Sequence, residues 1–167
     1  MRQDLFLILL ISLFFTGCKK SEPVTCSYTA PTTSATAAEI TYLQNYITTN
    51  NISAIQHQSG VFYAITNAGT GSLPTVCSNI TVKYTGRILG GNVFDSNTSV
   101  TGVKFVLGGL IVGWQRVLPL LKTGGSITLY IPPSLGYGSN VIRDNYGNTI
   151  IPADSYLKFD IDLLDVQ

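Results

Sequence analysis

Two periodicities divide the chain. Ile40, Leu43 and Ile47 recur at helical spacing, and Thr36 stands three residues before Glu39. That order matches a capping box, in which a threonine hydroxyl and a glutamate carboxylate satisfy each other's backbone N–H groups. The spacing predicts a helix over 37–50, ended by Asn50-Asn51. From Val61 onward the period is two. Val61-Phe62-Tyr63-Ala64-Ile65 is β-branched and aromatic and closes at Asn67, ahead of Gly69 and Gly71. Ile80, Val82 and Tyr84 alternate with Thr81, Lys83 and Thr85, as in a half-buried strand. Gly90-Gly91-Asn92 predicts a turn between Arg87 and Val93. A further strand is expected over 103–107, and another over 126–131, stopped by Pro132-Pro133. Leu157, Phe159, Ile161 and Leu163 alternate with Lys158, Asp160 and Asp162 in a final strand. Between these strands, 111–121 is apolar but irregular and has room for one short helix. Antiparallel strands with an embedded short helix, preceded by an N-terminal helix, make an α+β domain.

The N-terminus has a different character. Leu5 to Phe15 carries neither charge nor glycine, yet is shorter than the roughly 20 residues that span a bilayer core. It fits the apolar region of a signal peptide, although Asp4 offsets Arg2 in the segment before it. The run closes in Phe15-Thr16-Gly17-Cys18. This resembles a bacterial lipobox, with Phe15 where leucine is usual, and implies that Cys18 becomes a lipidated N-terminus. The alternative is an ordinary signal peptide cleaved near Gly17. Lys19 to Ala38 is rich in Ser, Thr, Ala and Pro and is too poor in large apolar groups to offset its ordering entropy. The expected organisation is a signal peptide over 1–17, a flexible tether over 18–38 and a folded domain over 39–167, with its core in 75–167. The expected location is the bacterial cell envelope, with the domain anchored to the membrane by lipid. An exported chain can keep disulfides. Cys26 and Cys77 are the two remaining cysteines, and they are expected to pair once exported, tying the tether to the start of a strand; the alternative is two free thiols.

Charge narrows the function classes. Only 11% of residues are charged, against about 25% in a typical domain, and ten Lys+Arg face nine Asp+Glu. The broad basic patch of a nucleic-acid binder is therefore excluded. One histidine, His57, excludes a His-rich metal site and leaves a triad hydrolase little to build on. It lies near the end of the first helix and reads as a surface residue. There is no C-x-x-C spacing, and no metal or cofactor is expected. Asp144-Asn145-Tyr146-Gly147-Asn148 reads as a solvated turn, since a calcium loop would need further ligands and a terminal Glu.

Three segments fall in one order: VKYTGRILGGNVFDS (82–96), GLIVGWQRVLPLLKTGGSITLYIPPSLGYG (109–138) and IIPADSYLKFDIDLLDV (150–166). Together they resemble the FKBP-type peptidyl-prolyl cis–trans isomerases. The resemblance implies a curved antiparallel sheet wrapped around a short helix, with a proline ring bound in an aromatic hollow between them. Trp114 would form the floor. Tyr84, Phe94, Val103, Leu110, Ile111 and Phe159 would form the walls. Tyr137 would offer its hydroxyl, and Ile111 its backbone N–H, to a substrate carbonyl. Asp95 would sit beside the proline carbonyl, and Ile150 or Ile151 would close the far side. Tyr84, Phe94, Asp95 and Tyr137 are the implied catalytic set. The implied partners are proline-containing polypeptides and macrolide inhibitors, and the implied assembly is a monomer.

The pattern departs from the family in three places. The stretch 97–102 lacks the arginine that many members pair with the aspartate, Gly109 replaces a common Glu or Gln, and the loop over 138–150 is longer. These departures favour the competing reading, a non-catalytic chaperone or proline-peptide-binding module of the same fold. The intact aromatic set favours the isomerase. The chemistry itself asks for little: an X–Pro bond rotates over a barrier of about 18–20 kcal/mol without any bond being broken. Neither nucleophile nor metal is required, only a cleft that binds the twisted amide better than the planar one.

Overall fold

The computed structural model describes residues 25–167. The expected signal peptide and lipidation site at Cys18 lie outside the described residues. Helix α1 (Ala37–Thr49) begins at a complete capping box. The Thr36 N–H donates to Glu39 Oε2 at 2.8 Å, and the Glu39 N–H donates to Thr36 Oγ1 at 3.3 Å. The same carboxylate accepts from the N–H and the hydroxyl of Ser134, both at 2.8 Å. One side chain thus caps a helix and ties it to a turn far along the chain.

Strands β1 (Ile55–Gln56), β2 (Phe62–Asn67), β3 (Asn79–Ile88), β4 (Val93–Asn97), β5 (Val103–Val106), β6 (Ser126–Ile131) and β9 (Leu157–Val166) form one sheet. Its order is β1-β2-β6-β9-β3-β4, and every pairing is antiparallel. Both β4 and β5 pair with the same edge of β3: β4 with Tyr84 to Arg87, β5 with Asn79 to Val82. The loop between them lies at the outer end of the sheet. A separate hairpin joins β7 (Ile142–Arg143) to β8 (Thr149–Ile151).

Alternation sends Ile127, Leu129 and Ile131 of β6, and Leu157, Phe159, Ile161 and Leu163 of β9, to one face. Helix α2 (Val112–Val117) packs there, in the hollow of the sheet. Gly113 sets the closeness of that packing, because a Cβ on it would stand 2.7 Å from Ile131 Cγ2. At the β2–β6 end the other face is apolar as well. Phe62 and Tyr130, directly paired, form a second cluster with Leu43 and Ile47 of α1. Where α1 does not cover the sheet, its outer face is polar, and the hydroxyls of Ser126 and Thr128 donate to Asp162 and Asp160.

The segment 25–36 has no regular secondary structure. Its composition suggested a tether, yet it lies along the domain as a strap. Cys26 is bonded to Cys77, Arg116 donates to the Pro31 carbonyl, and the Ala35 N–H donates to Ser59 O at 2.8 Å. Composition hides this because the attachment is made by one covalent bond and a few polar contacts rather than by an apolar stripe. The bridge closes 51 residues, which the chain-entropy model values at about 4 kcal/mol. Among the described residues no helix is long and apolar enough to cross a membrane.

Burial alone would raise the Glu39 pKa, but the hydrogen bonds from Thr36 and Ser134 outweigh it and hold the carboxyl below its ordinary value of 4.5. The resulting stabilisation is complete above that ordinary value and is lost as the pH falls through the folded one. Glu39→Gln should therefore lower stability near neutral pH by about 1 kcal/mol. Urea unfolding midpoints taken across the acid range should show the gap between variant and wild type closing as the pH falls below the ordinary carboxylate value.

Candidate active site

Six rings meet edge to face between the sheet and α2. Their order is Tyr137, Phe94, Phe159, Trp114, Tyr84, Phe105. The Trp114–Phe159 centroids lie 5.3 Å apart at 89°, Phe94–Phe159 5.6 Å at 84°, and Tyr84–Trp114 5.7 Å at 82°. This geometry directs the positive edge of one ring at the negative face of the next, worth about 0.5–1.5 kcal/mol per pair beyond burial. The rings line a cleft of about 220 Å³, together with Asp95, Leu110 and Ile111. That is smaller than the roughly 300–1,000 Å³ of pockets for drug-sized ligands, and suits a single small ring.

Each part of the cleft traces to its strand. Trp114 (4% exposed) rises from α2 and Phe159 (4% exposed) from β9, so floor and back wall are also core. Gly86 makes their junction with β4 possible: it pairs with both Asp95 and Phe159, and a Cβ there would stand 2.6 Å from Phe159 Cε1 and 2.8 Å from Phe94 Cζ. The mouth is polar. The Tyr84 hydroxyl donates to Asp95 Oδ2 at 2.6 Å. With no arginine in the following loop, Tyr84 is what holds the aspartate. Burial first, then the hydrogen bond to Asp95 and its charge, push the Tyr84 hydroxyl's pKa up; burial and then Asp95 do the same for Tyr137. Both therefore stay protonated donors at any physiological pH. The Ile111 N–H, just ahead of α2, donates to no backbone carbonyl among the described residues. The buried Trp114 indole N–H likewise has no acceptor among them.

Of the residues singled out from sequence, Tyr84, Phe94, Asp95, Leu110, Ile111, Trp114, Tyr137 and Phe159 come together here. Val103, Ile150 and Ile151 do not line the cleft. Val103 packs on the core beside it, and the ring that reaches Tyr84 from β5 is Phe105, at 6.1 Å. Strand alternation puts residues 103 and 105 on one face, so period two carried forward from Val103 would have found Phe105. Ile151 pairs with Ile142 in the hairpin and is buried in the core, with Ile150 packed against it. His57 is half-buried, outside the cleft, with Nδ1 2.8 Å from Ser59 Oγ. Asp144 engages its own turn, accepting from the N–H groups of Tyr146 and Asn148 and from the Asn148 side chain, chiefly the last of which holds its pKa low. A wider groove of about 320 Å³ on the outer face of the sheet is lined by groups such as Lys83, Thr128 and Asp160 and lacks this set of rings.

The family model described as FKBP-type peptidyl-prolyl cis-trans isomerase matches residues 71–164. The chain belongs to this family. A relative named FKBP-type peptidyl-prolyl cis-trans isomerase FkpA, from Buchnera aphidicola, is 43% identical over 111 residues, covering 65% of this chain and 42% of the relative. The Escherichia coli K12 protein of the same name is 38% identical over 110 residues, covering 65% of this chain and 38% of its own length. The chain thus spans about two fifths of the length of these curated relatives. The crystal structure of FkpA from Escherichia coli superposes with a TM-score of 0.65 at 33% identity, over 78% of this chain and 58% of that one. AtFKBP13 gives 0.60 at 30% identity, over 68% of this chain and 98% of that one.

Gly86→Ala should force Phe94 and Phe159 apart at a cost of about 1–3 kcal/mol. Thermal unfolding of the variant should show that loss. The emission of Trp114, the only tryptophan, should shift as its ring neighbour Phe159 moves.

Proposed function

We propose that this protein is an exported peptidyl-prolyl cis–trans isomerase acting on proline-containing polypeptides in the bacterial envelope. The observation that carries the proposal is the cleft itself: six edge-to-face rings closed by a tyrosine-held aspartate, in a chain of this family. None of the nine lining residues is a serine, cysteine, histidine or lysine, so the lining offers apolar surface and donors rather than a nucleophile.

The rate enhancement follows from differential binding. Twisting the X–Pro amide removes its resonance, and the carbonyl becomes less polar. An apolar cleft then disfavours the twisted form less than water does. The rings take the pyrrolidine, while the Tyr137 hydroxyl and the Ile111 N–H fix the carbonyls on either side. Asp95, oriented by Tyr84, lies beside the rotating bond. A thousandfold acceleration needs only about 4 kcal/mol of such preference. The apolar run ending at Cys18, with the strap that follows it, supports display of the domain from a lipid anchor.

Protease-free measurement of isomerisation in a proline tetrapeptide tests this reading. Tyr137→Phe keeps the ring and removes one donor, so kcat/KM should fall by up to about tenfold with stability little changed. Phe94→Ala removes a wall and should cost more. With both hydroxyl pKa values raised, the wild-type profile should show no alkaline limb below about pH 9. A folded wild type that binds the peptide without accelerating it would instead identify a binding module. Mass spectrometry of the membrane-extracted protein should find acyl chains on a product starting at Cys18, and an unmodified soluble product would refute the anchor.

A further inference from the structure

Immediately before the cleft residues Leu110 and Ile111 the chain makes a short 3-10 turn, Leu107–Gly109, that ends in two glycines. A Gly-Gly pair brings no side chain with which to hold itself, and its backbone is the least restricted available. The turn nevertheless sets where the Leu110 wall and the Ile111 N–H stand.

It is held from outside on three sides. The ring of Tyr28, in the strap, lies against Gly108: an alanine methyl there would stand 2.6 Å from Tyr28 Cβ and Cδ1. The Tyr28 hydroxyl reaches 3.5 Å from where a side chain at Gly109 would begin. From the second side, the Gly108 N–H donates to Val76 O at 2.7 Å and the Leu107 N–H to Ser78 O at 3.0 Å. Between those two carbonyls is Cys77, the residue bonded to Cys26 of the strap. From the third, Gln115 Nε2 donates to Gly108 O at 3.1 Å and to Leu110 O at 2.6 Å. The bridge therefore joins the two pieces of chain that bracket the turn, and Tyr28 follows Cys26 by two residues.

We propose that Tyr28, fastened by the Cys26–Cys77 bridge, is a positioning residue for the cleft: it supplies the side-chain mass that Gly108-Gly109 lacks and fixes the turn that presents Leu110 and the Ile111 N–H to a proline-containing peptide. This rests on the reading of the cleft given above. The ring is 43% exposed and packs on backbone, so its contribution falls on the turn rather than on the core.

The test uses the full, oxidised chain and two readouts: affinity for a proline tetrapeptide from Trp114 fluorescence, and amide hydrogen exchange across 107–111. Tyr28→Ala and the double variant Cys26→Ser/Cys77→Ser should each weaken the peptide about fivefold and speed exchange in the turn; in Tyr28→Ala, which leaves the bridge intact, β6 and β9 should keep their protection. Tyr28→Phe should behave as wild type. Gly108→Ala, which displaces the ring, should weaken binding in the wild-type background and add nothing to Tyr28→Ala. Unchanged affinity in folded Tyr28→Ala, or faster exchange throughout the sheet rather than in the turn, would overturn the proposal. So would an equal loss in Tyr28→Phe. A wild type that binds without catalysing, and shows these shifts, would refute the isomerase reading and leave the positioning role standing. An active wild type without the shifts would do the reverse.

Discussion

The cleft depends on a chain of aromatic edges packed against aromatic faces. Each ring has an orientation that its neighbour fixes, and the two central rings, Trp114 and Phe159, are at once floor and core. A binding surface made of core side chains cannot relax without unfolding the centre of the domain. Its shape is therefore present before any ligand arrives, which is what a catalyst that works only by complementarity requires. Gly86 is the backbone counterpart: the crossing of Phe94 and Phe159 over β3 exists because that residue has no Cβ.

The same sheet faces two ways at its β2–β6 end. Ile127, Leu129 and Ile131 look toward α2, while Phe62 and Tyr130 look toward α1. The helix before the family-matched region is thus a second cover for a strand pair, not an appendage. Glu39 adds a polar tie to the turn that follows β6, three residues before Tyr137. One end of the cleft wall is anchored by the helix, and the opposite end by the strap.

What the sequence showed and what it hid follow from the range of the interactions. Local signals were legible. The Thr36–Glu39 box sets the start of α1, alternation in 126–131 and 157–163 gives β6 and most of β9, and eight cleft residues fell out of three matched segments. The hidden parts depend on register or on single long-range contacts. Phe105 supplies the wall assigned to Val103, because a resemblance read position by position passed over the longer side chain on the same face. The hairpin β7–β8 was hidden because its strands are only two and three residues long, too short to show a period. The Cys26–Cys77 bond was legible in the two remaining cysteines, but the course of the strap along the domain was hidden, because one tyrosine on a glycine and a few polar contacts leave no pattern in composition. The tie between Tyr84 and Asp95 crosses two strands, and only their pairing reveals it.

The placement of β4 and β5 on one edge of β3 bears on how such a domain can diversify. Because both strands are registered independently against β3, the stretch between them is free of ladder constraints. The hairpin over 142–151 likewise closes on itself, with a locked turn at its tip and Tyr146 91% exposed there. Segments of this kind can lengthen at small cost, since doubling a flexible loop adds only about 0.6 kcal/mol of closure entropy. The ring chain, by contrast, tolerates no change of length, because a one-residue slip in β3 or β9 would turn its rings to the opposite face. The domain therefore separates an aromatic cleft of fixed register from two outlying segments of adjustable length. A residue added to either segment would leave every ring of the cleft in its place.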